Sequence, residues 1–176
     1  MAAFTVIDHT ELGAAASSYD VTSISASYDH LLLKVSARTD KAATYLDEHW
    51  LTINGDTASN YSTTTMQAAS ATVGSNRNGG ATKIENLPVA AASVGADNFS
   101  GMELWIPNYA GTTDYKQVLA KTAVENDSTT DWRWALNVTA GLWDSTTAIN
   151  QITLTPKSGD DYIQYSTFTL YGITGA

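Results

Sequence analysis

The stretch HLLLKVSAR, residues His30–Arg38, has a hydrophobic period of two. It places Leu31, Leu33, Val35 and Ala37 on one face and Leu32, Lys34, Ser36 and Arg38 on the other. That is the signature of a strand with one buried side. EHWLTINGD (Glu48–Asp56) repeats the pattern with His49, Leu51 and Ile53, then reaches Asn54-Gly55. Both residues of that pair tolerate the positive φ of a type I′ turn, so a hairpin is expected there. GMELWIPNYAG (Gly101–Gly111) sets Met102, Leu104 and Ile106 against Glu103 and Trp105. Pro107 donates no ladder hydrogen bond, so this strand ends there or lies at an edge.

YKQVLAKTAVEN (Tyr115–Asn126) alternates Val118, Ala120, Thr122 and Val124 with Gln117, Leu119 and Lys121; a helix is an alternative here, and the pattern of the neighbouring segments favours a strand. NQITLTPKSGDDY (Asn150–Tyr162) and STFTLYGIT (Ser166–Thr174) supply two further strands around a loop at Ser158–Asp161. Turn residues recur at Asn78-Gly79-Gly80, Gly111, Gly141 and Ser158-Gly159. Short strands with frequent turns and no long helix describe an all-β chain, a single-domain β-sandwich with the jelly roll as leading form. IENLPVAAASVGADNFSG (Ile84–Gly101) reads as a long connection holding a short helical turn. Residues 1–18 are a candidate N-terminal arm ahead of a domain over 19–176. Within them FTVI (Phe4–Ile7) is either a strand lent to another subunit or the first strand of its own sheet.

TDWRWALNVTAGLW (Thr130–Trp143) holds three of the five tryptophans. Residues two apart on a strand share a face, so Trp132, Trp134, Leu136 and Val138 are expected to form a core face. Trp50 and Trp105 sit opposite the aliphatic faces of their strands. In a sandwich that side is outward, which makes them interface candidates together with Tyr109, Phe4 and Val6.

The 176 residues are enough for one domain with a real core, burying roughly 70% of the surface its unfolded chain would expose. With no cysteine, disulfides, thiolate metal sites and cysteine nucleophiles are excluded, which suits assembly in a reducing cytoplasm. A net charge of -9, from 9 basic against 18 acidic residues, argues against nucleic-acid partners and anionic membranes. The start MAAFTVIDHTELG lacks a basic n-region and reads as no signal peptide, and no apolar run approaches a membrane span.

Catalytic signatures are missing: no G-x-S-x-G elbow, H-E-x-x-H, P-loop or G-x-G-x-x-G occurs. In DEHW (Asp47–Trp50) only Asp47 shares a strand face with His49, too few ligands for a metal site. SGDDY (Ser158–Tyr162) offers Asp160 and Asp161 as ion ligands, although a solvated turn around Gly159 is the simpler reading. No carboxylate pair among the acidic residues is singled out for glycoside hydrolysis. Sequons at Asn60, Asn98, Asn126 and Asn137 carry little weight in so Ser/Thr-rich a chain. The reading is therefore non-enzymatic, with no cofactor and no metal.

Three segments taken in order carry a resemblance: YDHLLLKVSARTD with LTINGDTASNYS, then LWIPNYAGTTDYKQVLAKTAVEN, then LWDSTTAINQITLTPKSGDDYIQYSTFTLYGI. Together they resemble a group of tailed-bacteriophage virion structural proteins that close on an INxITLTP…STFTLYGI pattern. The resemblance covers most of the chain beyond about residue 17. The charged, aromatic KSGDDYIQY loop and the bulky DEHW depart from it. It implies a protein of the virion surface, assembled in the host cytoplasm. The expected role is a capsid decoration or cement protein, a homodimer or homotrimer bound to the major capsid protein. The alternative is a receptor- or carbohydrate-binding module of a tail or head fibre, with Asp160, Asp161 and Tyr162 meeting a glycan.

Overall fold

The computed structural model describes residues 3–69, 72–126 and 135–175. Among these residues twelve strands form two antiparallel sheets packed face to face as a β-sandwich. The larger sheet runs β1 (Ala3–Glu11), β12 (Thr167–Thr174), β3 (His30–Ala37), β8 (Ser100–Pro107), β9 (Lys116–Val124), β10 (Ala135–Trp143), β5 (Tyr61–Ala69) and β6 (Thr72–Ala81). The smaller runs β2 (Tyr19–Val21), β11 (Ile152–Pro156), β4 (Leu46–Ile53) and β7 (Ile84–Ala90).

The expected alternation holds on β3, β4, β8 and β9. Leu31, Leu33, Leu51, Ile53, Leu104 and Ala120 are all fully buried, and they belong to one continuous core between the sheets. Burying these side chains at roughly 25 cal/mol per Å² is what holds the two layers together. Pro107 ends β8, which lies inside the sheet between β3 and β9, not at an edge.

Four buried tyrosines close the core with polar tips, Tyr19 donating to Asp8 Oδ2 at 2.9 Å. Tyr61, Tyr109 and Tyr162 are each buried, and each hydroxyl finds a partner. Tyr61 donates to the Asp56 carbonyl and accepts from the Ile53 N–H, Tyr109 donates to the Ser25 carbonyl, and Tyr162 meets His49. A buried phenol is tolerated only when its O–H is satisfied in this way.

Several local expectations change. Asn54 and Gly55 do adopt positive φ, 52° and 66°. No hairpin follows, because the next strand, β5, crosses to the other sheet. The Asn54 side chain instead braces the start of β11: its amide donates to the Ala148 carbonyl, and its oxygen accepts from Asn150 and Gln151 N–H. Asn78-Gly79-Gly80 and Gly141 lie inside β6 and β10 rather than at turns. Ile84–Ala90 is a strand, and the expected helical turn is the 3-10 segment Ala92–Val94. Arg38 pins that segment by donating to the carbonyls of Ala91, Ala92 and Ala96. Finally, Ala3–Glu11 pairs along β12, so FTVI belongs to the first strand of the chain's own sheet and is not a free arm.

The assignment of faces on β10 is reversed. Leu136 and Val138 point outward, Leu136 being 55% exposed, while Ala135, Asn137, Thr139 and Trp143 are buried. Trp132 and Trp134 lie outside the described residues. The cause is the close approach of β7 over β10. A Cβ on Gly141 would sit 2.6 Å from Ile84 Cδ1. Thr139 Oγ1 and Asn137 Nδ2 both donate to the Asn86 carbonyl, at 3.0 and 3.2 Å. Only small or hydrogen-bonding side chains fit beneath β7, so the larger aliphatics turn to the other side.

Candidate functional site

The small sheet covers one face of the large one; within the described residues the other face is uncovered. Cross-strand register defines what it presents. One row runs Val6, Tyr171, Leu32, Trp105, Leu119, Ala140 from β1 across to β10. The next row is charged at its centre: Lys34, Glu103 and Lys121 lie side by side, with Lys34 Nζ 2.9 Å from Glu103 Oε1. It continues into Val138 and Met66. A third row carries Ala123, Leu136, Ala68 and Val73.

Of the exposed large apolar residues among those described, five lie on this face of β5, β6, β9 and β10: Met66, Val73, Leu119, Leu136 and Val138. Isolated exposed apolar residues are ordinary, but a contiguous patch of them marks a contact surface. Leu32, Glu103, Trp105, Leu119 and Lys121 line a shallow groove within it. Periodicity read for β10 alone missed this patch, because the side of a strand that faces inward is set by what packs above it.

The interface candidates fall out unequally. Trp105 is half-buried in this face, its ring 4.8 Å from that of His30. Phe4 and Val6 are exposed at the β1 end, Phe4 edge-on to Tyr171. Trp50 is also half-buried and outward, but on the small sheet, and Lys83 Nζ sits 3.4 Å over its ring. The cation occupies the face on which a partner ring or sugar would stack. Tyr109 has no exposed surface and is corrected to a core residue, its hydroxyl spent on Ser25.

The Ser158–Tyr162 loop is likewise built inward. Tyr162 is fully buried, exchanges backbone hydrogen bonds with Ala16, and stands 5.1 Å from the Phe168 ring. It is corrected from a surface contact to a core residue. Asp161 and Asp40 tie the loop down: Asp161 N–H donates to the Asp40 carboxylate at 2.8 Å, and Asp40 N–H to the Asp161 carbonyl at 3.0 Å. Asp160 is partly buried beside them. Among the described residues no three His, Asp or Glu side chains gather as metal ligands.

His49 and Asp47 do share a face, as the strand period requires, but that face is the interior. Burial holds the His49 imidazole neutral, its pKa lowered to about 3. Lys41 Nζ meets Asp47 Oδ1 at 2.9 Å and bridges to Ser158 Oγ. His49 is fully buried, while Asp47, itself buried, lies with the partly exposed Lys41 along the lining of a surface pocket. Among the described residues no helix is long and apolar enough to cross a membrane. Comparison with known proteins found no matching family model, no similar curated protein and no similar solved structure.

Proposed function

We propose that this is a non-enzymatic structural protein of a phage particle, a capsid-decorating or cement protein at the virion surface that binds itself and the major capsid protein. The observation that carries the reading is the uncovered, partly apolar outer face of the eight-stranded sheet. Such a face is stabilised by burial against another protein surface, and it offers no enclosed site to a small substrate. The net charge of -9 favours a protein partner over nucleic acid.

Strand connectivity supports a jelly roll beneath this face. The strands β1-β12-β3-β8 lie in one layer and β2-β11-β4-β7 in the other, with the chain passing between the layers as two wound Greek keys would require. On this reading β5-β6 and β9-β10 are two inserted hairpins that widen one sheet. They are also the strands that carry most of the exposed apolar side chains. A fibre module reading glycans lacks comparable support, since Tyr162 is buried and Lys83 covers Trp50.

The test is the copy number in purified particles, measured by quantitative mass spectrometry against the major capsid protein. A number that follows the shell's local symmetry axes is expected, with Leu119→Glu and Leu136→Glu chains failing to attach. A number matching a single vertex or a tail would overturn the reading.

A further inference from the structure

The two sheets have four edges, and they are not equally protected. An edge strand exposes unpaired N–H and C=O groups, which folded proteins blunt with short length, proline, glycine, bulges or charge. On the small sheet β2 is only three residues long, and β7 carries Pro88 together with Asn86 at φ 62°. On the large sheet β6 is interrupted by Gly74, Gly79 and Gly80 and carries Arg77. The remaining edge, β1, begins Ala-Phe-Thr-Val-Ile, with no charge, glycine or proline before Asp8. Phe4 and Val6 are 60% and 54% exposed on it. The β-forming residues are concentrated on the one edge with the fewest such devices.

We propose that β1 pairs with β1 of a second copy of this chain, antiparallel about a two-fold axis through Thr5, joining two large sheets into one continuous sheet. This rests on the self-association in the reading above and specifies its partner and register. Directly opposed antiparallel residues share a face, so the two-fold sets Thr5 against Thr5 and Phe4 against Val6 twice. Both Phe4–Val6 pairs lie on the outer face. There they join the row of Tyr171, Leu32 and Trp105 in each copy into one apolar band across the axis.

Charge and geometry select this register. Sliding the strands toward their second halves sets Asp8 against Asp8, and like charges directly opposed are destabilising. It also drives both copies through the bulge between Val6 and Asp8. The uncharged rungs avoid both, and the bulge ends the pairing. Such a contact is isologous and closes at two copies, so it forms a dimer without seeding a fibre.

The chain has no native cysteine, so one introduced thiol reports the axis. Thr5→Cys, exposed on the edge strand, brings two thiols face to face in this register; Thr10→Cys keeps them apart. Expected on mild oxidation of the full-length chain is a covalent dimer with Thr5→Cys and none with Thr10→Cys. Sedimentation of the unmodified chain should show twice the monomer mass, and Phe4→Lys should return it to monomer. A monomeric unmodified chain, or cross-linking at Thr10 as fast as at Thr5, overturns the proposal. A monomer that still decorates shells would sink the β1 pairing alone, and a β1 dimer found at a tail would sink the decoration reading alone.

Discussion

His49 Nδ1 and the Tyr162 hydroxyl meet at 2.7 Å in the interior of the sandwich, joining β4 to the loop that precedes β12. His49 Nε2 has no hydrogen-bond partner among the described residues. Burial keeps the imidazole neutral, with its pKa at about 3 in the fold against about 6.5 when unfolded. The folded value is depressed, so the unfolded chain takes up the proton first as pH falls. Stability from this residue is full above about pH 6.5 and declines by about 1.4 kcal/mol per pH unit toward pH 3. Urea unfolding across that window should show His49→Gln with a shallower pH dependence, by close to one proton, than the parent chain. Equal slopes would mean that His49 is accessible enough to titrate normally.

Gly141 and Ile84 set the spacing between the sheets. A Cβ at position 141 would fall 2.6 Å from Ile84 Cδ1 and 2.9 Å from its Cγ2. Gly141→Ala should therefore overpack the core and cost about 1–3 kcal/mol. For a domain of this size that lowers Tm by roughly 2–12 °C. Ile84→Val trims the colliding side chain, so the double variant should recover part of the loss. A double-mutant cycle with no coupling would contradict the close approach of β7 over β10.

That approach also separates what the sequence made legible from what it did not. A period of two is visible wherever one face of a strand is buried, so His30–Ala37, Leu46–Ile53 and Lys116–Val124 could be read as strands with the correct inner side. On β10 the same logic pointed the wrong way. The inner residues there are Asn137, Thr139 and Gly141, chosen by depth beneath β7 and by the Asn86 carbonyl, a strand about 50 positions away. Tyr109 and Tyr162 read as surface aromatics because their hydroxyl partners, Ser25 and His49, lie 84 and 113 positions distant. The outward placement of Trp105 needed only its own strand and was legible. The apolar patch around it needed five strands in register and was not.

The reversed face of β10 makes a sharp stability comparison. Leu136 is more than half exposed, so Leu136→Thr should change the unfolding free energy of the monomer by less than about 0.5 kcal/mol. Leu104 is fully buried, and Leu104→Ala should cost about 2–5 kcal/mol through lost burial and the cavity left behind. Chemical denaturation at low protein concentration, where self-association does not contribute, measures both. A large loss at Leu136 would restore it to the core.

Asn54 combines a left-handed backbone with three side-chain hydrogen bonds, to Ala148, Asn150 and Gln151. Its substitutions should separate the two contributions. Asn54→Asp keeps the acceptor for the Asn150 and Gln151 N–H groups and gives up the donation to the Ala148 carbonyl, a loss of about 1 kcal/mol. Asn54→Gly relieves the backbone and loses all three bonds. Asn54→Ala loses them and adds about 1–2 kcal/mol for an L-residue at φ 52°. Thermal unfolding should therefore rank the parent chain above Asn54→Asp, then Asn54→Gly, then Asn54→Ala. If glycine proves the most stable, the turn is governed by backbone conformation alone and the brace on β11 contributes nothing.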